Sequence, residues 1–230
     1  MQTVEVRLGE RGYPILIGSG ILGHAGKEVE AALGSREAVV LTVEKVHGFY
    51  GRTLEESLTE FGIASTTIEV PDREGAKTLE TYSKVMKKLL ARGAGKDTVI
   101  VALGGGCVGD LAGFVAATYM RGVRLVQVPT TLLAQVDSSI GGKTALNLPD
   151  AKNVIGTFHQ PKLVLSDIDV LMTLPEREVR CGTAELIKYG AIMDLELLDF
   201  LERERDAVLR VERRAALPDR RFPNPVRWVS

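Results

Sequence analysis

Three consecutive glycines mark the part of this sequence whose residue types and spacing could bind a phosphate group. Gly104, Gly105 and Gly106 follow an apolar run, and Gly109 completes the pattern G-x-G-x-x-G. Glycines let the backbone approach a phosphate, and a helix that begins here would offer N–H donors at the positive end of its dipole. A tight turn between a strand and a helix would use the same glycines. Asp110, an acid in the first helical turn, is more than such a turn requires and favours phosphate binding.

The longest polar segment, residues 128–156, could hold the anionic groups of a ligand. It combines glycines with lysines, whose amines suit phosphate or carboxylate, although each lysine alone is equally typical of a solvated surface. Long irregular segments within a compact domain are usually functional, so we predict a functional loop here. The polar residues of this segment are Thr130, Thr131, Asp137, Lys143, Lys152 and Asn153.

Two further places bring an acid and a lysine close together in the sequence. Glu74 and Lys77 fall at a junction between a loop and a helix, where an acidic first helical turn would explain them equally well. Glu185 and Lys188 are spaced i, i+3, which puts both on one face of a helix. They could be a metal ligand with its partner or a partly buried ion pair, and the residues alone favour the ion pair.

The histidines and cysteines do not predict a complete metal site or a disulfide framework. His24, His47 and His159 form no pair at the spacing of helix-borne zinc ligands, and we expect His24 and His47 to be inert. Cys107 is expected to fill space in the glycine turn, and Cys181 to cap the start of a helix. Two cysteines suit a reducing compartment, so the sequence predicts a cytoplasmic protein.

Composition excludes several classes of protein. The chain has 230 residues, of which 45% are hydrophobic and 26% charged, a balance typical of globular proteins. The net charge of −1 gives no global basic excess for nucleic acid or an anionic membrane surface. The N-terminal residues do not resemble a signal peptide, and no apolar run approaches the ~18 residues that span a membrane.

The elements that would position these groups alternate between strands and helices. Continuous apolar runs rich in β-branched residues predict buried strands, with amphipathic helices between them. We therefore expect an α/β fold, with a mainly parallel, Rossmann-like sheet and helices on both faces. Ligands of such sheets bind at the carboxyl ends of the strands. The predicted strands are residues 4–8, 13–18, 37–43, 64–70, 97–103, 123–129 and 162–167.

The domain organisation follows from a change of pattern near residue 175. Residues 1–174 are predicted to be the nucleotide-binding α/β domain, and residues 175–210 the start of a helical domain. Residues 211–230 are rich in arginine and proline without a helical apolar stripe, so we expect a tail that does not continue the fold.

Five segments together resemble the 3-dehydroquinate synthases, which belong to the sugar phosphate cyclase superfamily. The likeness covers roughly residues 1–210 and is most specific from Asp97 to Gly190. It implies an enzyme that converts the seven-carbon sugar acid phosphate DAHP to 3-dehydroquinate and phosphate, with catalytic NAD and a divalent metal, Zn or Co. The segments are DREGAK, ALGGGCVGDLAGFVAATYMRGV, QVPTTLLAQVDSSIGGKTALN, AKNVIGTFHQP and GTAELIKYG.

The resemblance also implies roles for individual residues. Glu185 matches the single carboxylate ligand of the metal. The matches to the polar substrate pocket are Arg121, Asp137, Lys143, Lys152, Asn153 and Lys188. The matches to the NAD site are Asp72, Glu74, Lys77, Gly105, Gly106, Cys107, Gly109, Asp110, Thr130, Thr131, Asp137, Lys143, Lys152, Val170 and Thr173.

The chain departs from the family pattern in three places. Arg73 stands where the family usually has glycine, and Thr42-Val43-Glu44 lacks the usual Asn or Asp in its middle. The family continues into a helical domain with two metal-binding histidines, which this sequence lacks. We therefore expect a C-terminally truncated chain that binds NAD better than it turns over DAHP. Two alternatives stay open: an NAD-binding fragment without catalysis, and another cyclase such as a 2-deoxy-scyllo-inosose or amino-dehydroquinate synthase. A homodimer is also left open.

Overall fold

A seven-stranded sheet forms the centre of the fold in the computed structural model, which describes residues 1–72 and 74–211. The strand order is β1-β2-β9-β6-β5-β3-β4. The pair β1–β2 is antiparallel, and the other neighbours in the sheet are parallel. The predicted α/β class with a mainly parallel sheet is therefore confirmed. The strands of this sheet are β1 Gln2–Val6, β2 Tyr13–Gly18, β3 Glu37–Thr42, β4 Ala64–Glu69, β5 Val99–Gly104, β6 Arg124–Pro129 and β9 Leu163–Asp167.

Helices cover both faces of this sheet because its central strands are apolar on both sides. Every residue of β5 is buried. On one face, β5 contributes Ile100 and Ala102 to a core with α5 and α4. On the other face, Val101 and Leu103 join a core with α1 and α3. The helices are α1 Ala25–Leu33, α2 Glu44–Val46, α3 Arg52–Glu60, α4 Leu79–Ala91, α5 Gly106–Thr118, α6 Glu176–Met193, α7 Leu195–Arg203 and α8 Arg205–Leu209.

Short helical turns connect these elements. Two of them have π-helical geometry, and we call them the 47–51 π turn (His47–Gly51) and the 134–138 π turn (Ala134–Ser138). The 3₁₀ turns are Ile21–His24, Glu74–Ala76, Tyr119–Arg121 and Ile168–Thr173. Within the described part of the chain, no helix has the length and apolar character needed to cross a membrane.

The expectation of an irregular loop over residues 128–156 is wrong. Two strands, β7 Lys143–Leu148 and β8 Ala151–Phe158, form an antiparallel hairpin that lies outside the main sheet. Thr144 and Leu146 of β7 are buried, and Leu146 joins the core beneath α5. The alternation of buried and exposed residues is the ordinary pattern of a half-buried strand, which the lysines and glycines of the segment conceal.

The C-terminal helices agree with a helical pattern after Pro175, since α6, α7 and α8 follow one another there. Cys181 lies inside α6 and is exposed, so the expectation that it caps a helix start is wrong. The predicted tail, residues 211–230, lies outside the described residues apart from Val211.

Candidate functional site

The glycine turn lies at the carboxyl edge of the sheet, beside the threonines that follow β6. Gly104 pairs with Pro129 in the last register position of β5 and β6. The backbone N–H of Thr130 donates to the carbonyl of Gly104 over 3.0 Å. Thr131 accepts a hydrogen bond on Oγ1 from the N–H of Ala134 over 3.1 Å, which starts the 134–138 π turn. The edge where α/β sheets bind ligands thus carries both predicted motifs.

Helix α5 begins at this edge, directly after the glycine turn. Its N-cap residue, Gly105, is extended, and no side chain within the described residues caps the helix. The first N–H groups of a helix need a partner, and an anion can supply it. A Cβ at Gly106 would lie 2.7 Å from Ser138 Oγ, so this close packing requires glycine.

Two hydroxyls beside the glycine turn are shielded from solvent without a hydrogen-bond partner among the described residues. They belong to Thr130 and Ser138. Buried polar groups are normally paired, and an unpaired one indicates a missing ligand, ion or water. Together with the uncapped start of α5, these hydroxyls fit a polar, anionic cofactor at this edge.

A buried lysine ties the glycine turn to the hairpin. Lys77 Nζ donates to Asp110 Oδ2 over 2.7 Å and to Asn153 Oδ1 over 2.7 Å. The side chain of Lys77 is 4% exposed and that of Asp110 22%, so this ion pair is largely shielded from water. Asn153 has a positive φ of 56°, and its N–H donates to Asn147 Oδ1 over 2.8 Å. The structure therefore joins three predicted site residues from three separate segments.

A second cluster lies where α6 crosses the 134–138 π turn. Tyr189 donates from its hydroxyl to Asp137 Oδ1 over 3.0 Å. Lys188 forms an ion pair with Glu185, as the i, i+3 spacing of the two residues predicts. The Lys188 Nζ also lies 5.0 Å from the centre of the Tyr189 ring. Burial raises the pKa of Tyr189 well above its usual value, and the carboxylates of Asp137 and Glu185 raise it further. Tyr189 is therefore a hydrogen-bond donor.

Sequence reasoning missed Tyr189, which it treated as an apolar neighbour of Glu185. One helical turn separates Glu185 from Tyr189, so the i, i+4 spacing could have suggested a shared face. The link to Asp137 spans 52 positions in sequence and could not be inferred from local spacing.

Other predicted residues lie apart from these clusters. Arg121 follows the C-terminal end of α5, a 13-residue helix, and so lies roughly 20 Å from the glycine turn of the same chain. The grouping of Arg121 with the lysines in one substrate pocket stays a prediction. Lys143 and Lys152 are exposed on the hairpin.

A groove of about 650 Å³ runs between the start of α4 and the turn of the hairpin, and Lys152 is part of its lining. Val170 and Thr173 lie in the 3₁₀ turn after β9, at the same edge of the sheet as the glycine turn.

Gly109 packs against Gln127 of β6, and Cys107 is half-buried in the first turn of α5. Asp72 is exposed, whereas Arg73 and the side chain of Glu74 lie outside the described residues.

The hydrogen bonds of His47 and His159 within the described residues go to partners other than Glu185. His159 donates from Nε2 to the carbonyl of Val123 over 2.9 Å, and burial lowers the pKa of His159. His47 contacts a carboxylate with each ring nitrogen, since Nδ1 lies 2.8 Å from Glu69 Oε1 and Nε2 lies 3.2 Å from Glu55 Oε1. Desolvation lowers the pKa of His47, but the hydrogen bonds and charges of Glu69 and Glu55 outweigh it and raise the pKa.

Glu185 alone does not make a metal centre. Across residues 1–72 and 74–211, no three His, Cys, Asp or Glu side chains are grouped so that they could hold a metal ion. Catalytic zinc normally has three protein ligands and an open position. The described residues therefore do not fit a complete metal site.

Comparison with known proteins agrees with this fold. The family profile described as 3-dehydroquinate synthase N-terminal matches residues 67–181, half of the chain. The 3-dehydroquinate synthase of Caulobacter vibrioides (strain NA1000 / CB15N) is 51% identical over 210 residues, which cover 91% of this chain and 57% of that protein. The chain thus spans somewhat more than half the length of the curated relatives it matches.

Two solved structures are similar over most of the chain. One is ValA, a 2-epi-5-epi-valiolone synthase from Streptomyces hygroscopicus subsp. jinggangensis 5008 with NAD+ and Zn2+ bound. It has a TM-score of 0.82 and 29% identity, over 96% of this chain and 60% of that one. The other is a 2-deoxy-scyllo-inosose synthase complexed with carbaglucose-6-phosphate, NAD+ and Co2+. It has a TM-score of 0.74 and 30% identity, over 81% of this chain and 50% of that one.

The sheet, the uncapped glycine turn and these likenesses define a Rossmann-like α/β protein of the sugar phosphate cyclase class. Within that class, the family match and the relatives at about half identity are decisive. The chain belongs to the 3-dehydroquinate synthase family.

Proposed function

We propose that this chain is the cofactor-binding part of a 3-dehydroquinate synthase, the enzyme that converts DAHP to 3-dehydroquinate and inorganic phosphate. The observation that carries this proposal is the uncapped start of α5 at the carboxyl edge of the sheet, flanked by the unpartnered hydroxyls of Thr130 and Ser138. An enzyme of this kind is a lyase of aromatic amino acid biosynthesis, and its working place is the cytoplasm.

The pyrophosphate of NAD+ would bind at the start of α5. Gly105 and Gly106 offer backbone N–H groups there, and the helix dipole favours negative charge. The Lys77–Asp110 ion pair holds the first turn of α5 in place. Thr130 and Thr131 line the neighbouring strand end, and Val170 to Thr173 close the far side of the crevice.

The anionic substrate would bind between the hairpin and α6. Lys143 and Lys152 are exposed amines that can neutralise phosphate or carboxylate, and Lys188 is a third. Asp137 is fixed by the hydroxyl of Tyr189, which leaves its second oxygen free to accept a hydrogen bond from a substrate hydroxyl. Asn153 is turned towards Lys77, so it joins the cofactor side to the substrate side.

NAD+, when bound, would accept a hydride from the carbon that carries a substrate hydroxyl, while the hydroxyl loses its proton, and would return the hydride later in the cycle, so that NAD+ is regenerated. The residues of this chain contribute binding, orientation and charge. Lysines that hold the phosphate stabilise the negative charge that develops as phosphate leaves, and their fixed geometry lowers the entropic cost of the reaction. The described residues hold no complete metal site, so no step is assigned to a metal here.

The sequence identities favour a 3-dehydroquinate synthase over another sugar phosphate cyclase. The chain is 51% identical to the Caulobacter relative, but 29% and 30% identical to the valiolone and inosose synthases. A homodimer would suit Arg121, because the far end of α5 could then serve the pocket of a second copy.

A hybrid enzyme tests this function. Residues 1–210 of this chain would replace the matching part of the Caulobacter relative, and phosphate release from DAHP would be measured with NAD+ present. We expect turnover by the hybrid, and kcat/KM about tenfold lower in Lys188→Met, because one charged contact to the substrate is lost.

Lys84→Met is the matched control, since Lys84 pairs with Glu80 on the exposed side of α4. It should leave kcat/KM unchanged. A folded hybrid that releases no phosphate, or a Lys188→Met variant as active as the control, would contradict the proposal.

A further inference from the structure

One tyrosine joins the segment after β3 to the segment after β9. Tyr50 donates from its hydroxyl to the carbonyl of Val170 over 2.8 Å, and the same oxygen lies 2.5 Å from Thr173 Oγ1. Strands β5 and β6 lie between β3 and β9, so the link spans about 14 Å at ordinary strand spacing. The link passes the end of β5, which carries the glycine turn, and the end of β6, which is followed by Thr130 and Thr131.

The link lies on the face of the sheet opposite α5. The Tyr50 ring packs on the core that contains Leu103, Val128 and Val170, which are residues at the ends of β5, β6 and β9 or just beyond. Helix α5 packs on the other core. The crevice at the carboxyl edge is therefore bounded by α5 on one face and by the Tyr50 link on the other.

Tyr50 is held in place by the π turn that carries it. His47, at the start of the 47–51 π turn, faces Glu69 of β4 with one ring nitrogen and Glu55 of α3 with the other. Both partners are carboxylates, so both ring nitrogens donate when the ring is protonated. A Cβ at Gly51 would lie 1.8 Å from the His47 ring, so only glycine permits this arrangement.

Besides Tyr50, hydrogen bonds of Ser19 and Asp167 anchor the 168–173 turn, and Ser19 Oγ donates to Asp169 Oδ2 over 2.6 Å. Asp167, which is buried, accepts hydrogen bonds from the N–H groups of Gly20, Leu22 and Asp169 over 2.9–3.0 Å. These bonds hold the beginning of the turn. Its distal end, at Thr173, is exposed, and the Tyr50 hydroxyl is what ties it to the rest of the domain.

We infer that Tyr50 is a positioning residue of the cofactor site: its hydroxyl fixes Val170 and Thr173 at the wall of the crevice opposite α5. This inference rests on the proposed binding of NAD+ at that edge. The Tyr50 ring packs against the core, and its hydroxyl orients Val170 and Thr173. Loss of the hydroxyl alone therefore loosens residues 168–173 and weakens NAD+ binding while the core stays packed.

Tyr50→Phe tests the inference in the 230-residue chain, with Tyr82→Phe as the matched control. Tyr82 makes the same kind of bond, 3.0 Å from Thr118 Oγ1, near the far end of α5. We expect Tyr50→Phe to raise the Kd for NAD+ about tenfold in calorimetric titration and to speed amide hydrogen exchange over residues 168–173. Tyr82→Phe should change neither quantity.

Each outcome separates this inference from the function on which it rests. If the unmodified chain binds no NAD+, the proposed function fails, and exchange over 168–173 still reports whether Tyr50 holds the turn. If the chain binds NAD+ and a folded Tyr50→Phe variant matches Tyr82→Phe in both readouts, the inference is wrong.

A second pair of variants serves if Tyr50→Phe does not fold. Thr173→Val removes one hydrogen-bond partner of the Tyr50 hydroxyl, and Thr173→Ser, which keeps that partner, should restore normal exchange. Unchanged exchange in Thr173→Val would overturn the inference in the same way.

Discussion

Replacement of Lys77 by methionine is expected to lower the free energy of unfolding by about 3 kcal/mol, because it leaves a shielded carboxylate without its charge partner. Lys77 is 4% exposed and donates to Asp110 and Asn153, both over 2.7 Å. Methionine fills a similar volume but cannot donate. Urea denaturation followed by circular dichroism measures the loss.

Two further variants make this test specific to the buried pair. Lys84→Met removes an exposed i, i+4 pair with Glu80 on the same helix–loop unit, and it should produce no measurable change. Lys77→Met combined with Asp110→Asn removes the stranded charge and should recover part of the loss. A stability loss in Lys77→Met no larger than in Lys84→Met would show that the buried pair does not hold the first turn of α5.

Gly106→Ala is expected to weaken NAD+ binding about a hundredfold, roughly the worth of one charge-assisted hydrogen bond. A Cβ here would stand where the backbone must approach the pyrophosphate. It would also lie 2.7 Å from Ser138 Oγ, so the substitution also disturbs the 134–138 π turn. Calorimetric titration of the folded variant with NAD+ measures the loss of affinity.

The steric contact of Gly106→Ala with Ser138 can be separated from the effect of this substitution on NAD+ binding. Ser138→Ala removes the oxygen at 2.7 Å and leaves Ser138 Cβ at 3.3 Å, which relieves most of the clash. The double variant Gly106→Ala/Ser138→Ala should bind NAD+ much more weakly than Ser138→Ala alone if the Cβ acts on the pyrophosphate. Recovered affinity in the double variant would mean that Gly106 acts through Ser138. Gly95→Ala, where a Cβ meets open space at the opposite end of β5, is the control and should bind NAD+ normally.

The sheet and the glycine turn could be predicted because their signals are local. The β5 run is apolar throughout, and the glycines follow it directly, so strand, turn and helix start are written in one stretch of sequence. The ion pair of Glu185 with Lys188 was also local, since i, i+3 spacing on a helix brings two side chains together.

The contacts that shape the crevice could not be predicted because they join distant segments. Tyr50 and Val170 are 120 positions apart, and Tyr189 and Asp137 are 52 apart. The hairpin of β7 and β8 was missed because its polar residues outweigh its short alternation of buried and exposed positions. Arg121 was grouped with the lysines by family resemblance alone, and that grouping stays a prediction.

Titration of the 230-residue chain with NAD+, read by calorimetry and by amide hydrogen exchange, tests the central claim most directly. The account predicts saturable binding at one site per chain, with slower exchange at the start of α5 over residues 104–110 and at the 168–173 turn. The account would be contradicted if NAD+ did not bind saturably to the folded chain, or if bound NAD+ left the rate of amide hydrogen exchange over residues 104–110 unchanged.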